Sequence, residues 1–245
     1  MKLLFGTFLC LISLNTFAQD STNTEVKKIS RTKEELKKLD LSKRTSDHLM
    51  LQFGMANWAN KGDLNLRGFN KTFNAYFLFD FPFKTDPRLS VGIGPGVGSD
   101  NMYFNKTIID IKSKTGVIFT EDSVTIKYKK NKLVTSYLEV PLELRYSTKP
   151  DNMNSGWKFA LGIKVGTAID AKVKSKVDLD QNQVGGYFQK IRDKKYFNSS
   201  RFALTARAGY GNMSLFASYT VTDYIKQGFG PIVHPYSFGL CLSGL

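Results

Sequence analysis

The sequence of 245 residues predicts an all-β fold: an eight-stranded antiparallel up-and-down transmembrane β-barrel with long extracellular loops and short periplasmic turns. Three patterns point there. Eight segments alternate apolar with polar or small residues, the links between them alternate long and short, and aromatic residues gather at the segment ends beside the short links.

The series opens with Leu49 to Trp58, Thr72 to Phe81, Leu89 to Val97 and Val134 to Tyr146. Its clearest member follows, where Trp157, Phe159, Leu161, Ile163 and Val165 alternate with Lys158, Ala160, Gly162, Lys164 and Gly166. Phe202 to Tyr210, Met213 to Val221 and Tyr236 to Leu242 complete it. No helical periodicity interrupts these runs, so sequence neighbours pair as antiparallel strands. Long links follow Trp58, Ser99, Asp170 and Thr222, whereas Pro82 to Arg88, Ser147 to Gly156 and Gly211 to Asn212 are tight. Phe81, Phe83, Tyr146, Trp157 and Tyr210 cluster at the tight ends, where an interfacial girdle belongs. The run VTIKYKK after TGVIFT suggests that the second long loop rises as a hairpin above the membrane.

Alternation alone also allows a secreted lipocalin-like lipid-binding barrel, which hides its apolar face. The polar faces decide the direction. Ser90, Gly92, Gly94, Gly96 and Gly98 share one face of a strand, and Ala160, Gly162, Gly166 and Ala168 share another. Small residues suit a narrow lumen better than a solvated exterior, so the apolar faces meet lipid.

The N-terminus carries an export signal. Lys2 precedes the apolar run Leu3 to Leu14, and Thr16-Phe17-Ala18 ends it in small-x-small form, which places cleavage after Ala18. The run is too short to remain as a membrane-crossing helix. The expected organisation is therefore a signal peptide (1–18), a charged periplasmic arm (19–47) and the outer-membrane barrel (48–245). Cys10 lies in the signal, leaving Cys241 alone in the mature chain, a packed residue with no disulfide partner.

The segments DHLMLQFG (47–54), FDFPFKTDPRLSVGIGPGVGS (79–99), YLEVPLELRYSTKP (137–150), WKFALGIKVGT (157–167) and PYSFGLCLSGL (235–245) resemble the PorT-like outer-membrane β-barrel proteins of Bacteroidetes. YLEVPLELRY is the most specific piece. The resemblance implies an eight-stranded barrel in a Gram-negative outer membrane and, for PorT itself, an accessory role in protein secretion. It brings no catalytic residues.

With Trp157, Leu138 and Phe202 outward, parity turns Asp80, Glu139, Glu143, Arg145, Lys158, Lys164, Arg201 and Arg207 into the lumen. Unpaired charges there would be expensive, so these residues are expected to pair across strands and fill the barrel instead of forming an ion path. Pro141, which cannot donate to the ladder, is expected to mark a bulge or a distorted stretch.

Enzyme chemistry finds little support. His48 and His234 fall at opposite rims, too far apart to share a metal, and a Ser-His pair would need His234 with Ser99 or Ser218. No cofactor or metal is expected. The net charge of +14 concentrates in the loops, with Lys106, Lys112, Lys114, Lys127, Lys129, Lys130 and Lys132 in the second and Lys172, Lys174, Lys176, Lys190, Arg192, Lys194 and Lys195 in the third. A cationic rim suits outer-membrane lipids and lipopolysaccharide better than nucleic acid. The functional expectation is a small, monomeric, non-enzymatic barrel with a structural, surface-interaction or secretion-accessory role, and a protein partner at the arm or the loops. A barrel enzyme acting on lipid is the runner-up.

Overall fold

The computed structural model describes residues 48–62, 64–105, 107–121, 128–152, 155–177 and 187–244. The expected signal peptide and arm, and residues 124–127 of the VTIKYKK run, lie outside them. The strands are β1 (Leu49–Ala59), β2 (Lys71–Phe77), β3 (Phe79–Pro82), β4 (Leu89–Ile93), β5 (Gly96–Phe104), β6 (Thr107–Asp110) and β7 (Ile118–Glu121). The series continues with β8 (Tyr128–Ser147), β9 (Trp157–Val177), β10 (Tyr187–Arg192), β11 (Ser200–Tyr210), β12 (Met213–Thr220) and β13 (His234–Ser243).

Every ring pairing is antiparallel. β9, β11, β12, β13, β1, β2 with β3, β4 with β5, and β8 follow one another, and the β8–β9 ladder closes the circle. Eight runs, each paired on both sides over most of its length, thus close into a barrel, which satisfies the backbone where no water is available.

Two of the expected strands are interrupted. Thr72 to Phe81 breaks at Leu78, whose amide donates to His48 O at 2.6 Å. Leu89 to Val97 breaks at Gly94-Pro95, and its second half continues to Phe104. Pro95 lacks the amide a ladder needs. Pro141 sits at the same place: β8 pairs β4 from Leu142 onward and β5 up to Glu139, so Val140 and Pro141 face the interruption. Of the two expected forms, a bulge or a distorted stretch, the stretch at Pro141 shows the second: Pro141 stays in register with Lys164, and the ladder on its other side is interrupted. The β8–β9 ladder instead shifts register at Ser136/Tyr137.

The burial pattern is inside-out. Leu161, Leu215, Leu240, Phe238 and Val165 point outward and are at least half exposed, while Gln52, Asn74, Ser90, Glu139 and Glu143 point inward and are buried. No water-soluble surface carries an apolar band of this size. On β9 the outward residues are apolar or uncharged from Trp157 to Ile169, a height of about 30 Å for a strand tilted by about 40°. Trp157, Phe81 and Tyr210 are exposed at the tight-turn rim, where Trp157 and Tyr210 meet edge to face at 5.7 Å.

The tight turns are locally specified. Gly211, with φ of 58°, allows the two-residue link from β11 to β12. Between β3 and β4, Arg88 donates to Asp86 through its backbone amide and its guanidinium. That contact holds the Asp86 carboxyl below its ordinary range.

The long links form a folded cap. β8 and β9 run past the expected ends at Val134 and Asp170, to Tyr128 and Val177. Within the second long link, Ile118–Glu121 pairs with Thr107–Asp110 as a hairpin. An apolar core fills the cap and includes Trp58, Met102, Phe104, Leu133, Phe197 and Tyr224. Strand parity explains it, because inward positions that are polar at mid-barrel become apolar above.

Candidate functional site

The barrel interior is layered. At the tight-turn end, Met50, Tyr76, Leu78, Phe216 and Cys241 form a small apolar cluster. The cap core closes the opposite end. The inward faces of the barrel also bring together the eight charged residues singled out from sequence and one more, Asp100.

The upper knot centres on Arg201. Its Nη1 lies 3.1 Å from Asp100 Oδ2 and 3.0 Å from Glu139 Oε1, its Nε donates to Thr220 Oγ1, and its guanidinium stacks over the Tyr137 ring at 4.3 Å. Asp100 also accepts from Thr72 Oγ1 at 2.7 Å. Glu139 accepts from the Tyr76 hydroxyl at 2.6 Å and has Lys164 Nζ at 3.6 Å. Each carboxylate oxygen therefore meets a cation or a hydroxyl, which makes burial of the charges tolerable.

The lower knot centres on Glu143. Its Oε2 accepts from Arg145 Nε at 3.0 Å and from Arg207 Nη2 at 2.9 Å. Arg145 Nη1 reaches Asp80 at 3.5 Å, and Arg207 Nη1 donates to Ser243 Oγ. Lys158 is buried on the same inner face. Glu139 and Glu143 are four residues apart on β8, about 13 Å, so the knots are adjacent tiers.

The inward glycines make room for these side chains. A Cβ on Gly92 would stand 2.5 Å from the Arg145 guanidinium carbon, and one on Gly166 would stand 2.8 Å from Glu139 Cγ. Glycine here is a matter of space in a narrow barrel, not of a phosphate-binding loop.

Sequence reading missed Asp100 and Tyr76. The signal for Asp100 was present, since Gly96, Gly98 and Asp100 continue the inward alternation of Ser90 to Gly94 once the strand is extended past Val97. Tyr76 alternates inward with Thr72 and Asn74, but nothing in its spacing identifies Glu139 as its acceptor.

The histidines stand apart from this network. His48 Nδ1 lies 3.0 Å from Leu78 O at the tight-turn rim, and His234 pairs with Ala59 at the cap end, where Asp223 lies 3.6 Å away. Ser218 is on the inner face, whereas His234 stacks on outward Tyr219. Ser99 is on β5, separated from β13 by β1 and β2. Neither serine forms a dyad with His234. Among the described residues no group of three or more His, Cys, Asp or Glu could hold a metal ion.

The tiers predict local energetic coupling. Asp100→Asn with Arg201→Gln should show a coupling energy of about 1–3 kcal/mol in a double-mutant cycle, because the two share an ion pair. Asp100→Asn with Arg207→Gln should be additive within about 0.5 kcal/mol, since their partners differ. Urea unfolding followed by electrophoretic mobility measures both.

A closed antiparallel barrel with an apolar exterior and a charged, filled interior defines an integral outer-membrane protein. The chain belongs to the outer membrane protein beta-barrel domain family, whose model matches residues 17–231. It resides in the outer membrane of a Gram-negative bacterium, where its exterior contacts membrane lipids and lipopolysaccharide. Among solved structures it is similar to Ail, the attachment invasion locus protein of Yersinia pestis, at 16% identity and a TM-score of 0.29, with 80% of this chain and 95% of that chain covered. Comparison with curated protein sequences gives no match.

Proposed function

We propose that this protein is a monomeric, non-conducting, non-enzymatic barrel that works through protein contacts, in a secretion-accessory role of the PorT-like kind found in Bacteroidetes. The filling of the interior carries the reading. Two tiers of paired charges and two apolar clusters occupy it, which leaves the lumen to structure and the surface to function. The cap, folded around its own core, offers a partner a fixed surface. The charged arm (19–47) is the natural periplasmic contact, and nucleic acid has no part.

Planar-bilayer recording of the refolded protein should give no stable steps of porin size. A steady conductance would refute the filled lumen. For the accessory role, a deletion strain should lose secreted proteins while its lipid A mass spectrum is unchanged; altered lipid A with normal secretion would favour the lipid enzyme instead. The mature chain should begin at Gln19, and N-terminal sequencing that finds Met1 would contradict the signal peptide.

A further inference from the structure

Above the apolar band, β8, β9 and β10 form a three-stranded ribbon with an unusual outer face. At the register shift by Ser136/Tyr137 the side-chain parity of β9 inverts, so Ala171 and Val173 turn inward and Lys172, Lys174 and Lys176 turn outward. Lys174 is then directly opposite Lys132 on β8 and Lys190 on β10. Three lysines thus occupy one row across three strands, with neighbouring backbones about 5 Å apart. The flanking rows add Lys172 opposite Arg192, and Lys176, whose ammonium lies 5.2 Å from the Phe188 ring centre.

Like charges directly opposite in a sheet are destabilising. One carboxylate relieves them only at the lower row, where Asp170 binds Lys172 at 2.6 Å and Arg192 at 2.8 Å. Lys132 donates to Asn101 Oδ1, a neutral acceptor. Lys174, Lys176 and Lys190 meet no carboxylate among the described residues. Partial burial and the neighbouring lysines push the Lys174 ammonium below its ordinary value. The row is arranged for an anion.

We infer that the lysine row of β8, β9 and β10 is a binding site for the phosphate groups of the phosphorylated glycolipid in the outer leaflet. Position selects this source. Directly below the row on the same strands, Leu138, Val165 and Ile169 are each about half exposed to lipid. Lys174 stands five residues above Ile169, about 13 Å along the membrane normal, within reach of the headgroup phosphates of a lipid whose acyl chains lie on those residues. A multiply charged phosphate can bridge several lysines, as a compact anion of single charge cannot. The site rests on the outer-membrane placement of the barrel and is independent of the secretion role.

Native mass spectrometry of the full mature chain, released from detergent with bisphosphorylated lipid A, tests the site. The combined variant Lys132→Gln, Lys174→Gln and Lys190→Gln should weaken binding by about 10- to 100-fold, at up to roughly fivefold per lysine. Replacing Lys112, Lys114 and Lys194 by Gln removes the same charge elsewhere and should change it less than about threefold. Dephosphorylated lipid A should bind the parent protein as weakly as the row variant binds intact lipid A. Equal losses in the two triple variants would overturn the site in favour of general charge attraction. Inorganic pyrophosphate binding as tightly as lipid A would overturn the glycolipid as its occupant. Electrophoretic mobility before and after heating verifies folding, and Lys174→Gln alone, expected to lose about fivefold, serves if the triple variant does not fold.

Discussion

Reversing Glu143 to Lys should lower the unfolding free energy of the barrel by about 3–5 kcal/mol, against about 1 or less for reversing the exposed Lys114 to Glu. The difference follows from where the charges sit. Glu143 Oε2 accepts from Arg145 and Arg207 at 3.0 and 2.9 Å, and all three side chains are nearly sealed from solvent. A lysine there sets a third cation beside two guanidinium groups, of which Arg145 also has Asp80 at 3.5 Å. Glu143→Gln should cost less, because an amide oxygen still accepts one guanidinium hydrogen bond. Urea titration in liposomes, followed by the mobility shift between folded and unfolded forms, measures all three variants. Equal midpoints for Glu143→Lys and Lys114→Glu would overturn the inward placement of Glu143.

The lower tier was legible in the sequence for a simple reason. YLEVPLELRY alternates without interruption, so one outward anchor, Leu138, fixes the direction of Glu139, Glu143 and Arg145 together. The same logic reached Lys158, Lys164, Arg201 and Arg207. It failed where the period itself changes. The register shift near Ser136 inverts parity on the upper part of β9, and a shift of one residue moves every later side chain to the other face. The lysines there read as loop charge, and the inward Ala171 and Val173 did not read as core. The break at Leu78 was equally silent, because Leu78 keeps its inward side-chain position while its backbone leaves the regular pairing. Alternation reports side-chain direction and not hydrogen-bond continuity.

The cap was the largest feature hidden from the sequence, and Trp58 is the residue on which its stability should depend most. Trp58 ends the inward face of β1 and is almost fully buried. Its ring centre lies 5.5 Å from Phe104 of β5, 6.2 Å from Phe119 of β7 and 5.1 Å from Tyr224 of the last long link. One side chain therefore joins the first strand to three segments that follow it at long sequence separation. Trp58→Ala should destabilise the cap by about 3–5 kcal/mol, the usual range for truncating a buried aromatic side chain. The barrel below should survive, because its ladders and charged tiers make no use of the indole. Proteolysis of intact cells or liposomes should then cleave the extracellular links of Trp58→Ala much faster than those of the parent, while the heat-dependent mobility shift of the barrel persists. Phe188→Ala is the matched control. Its ring is 79% exposed, so its loss should stay within about 0.5 kcal/mol and leave protease resistance unchanged. Equal protection of Trp58→Ala and the parent protein would mean that the links hold their positions without the apolar core, and that the cap is fixed by its strand extensions alone.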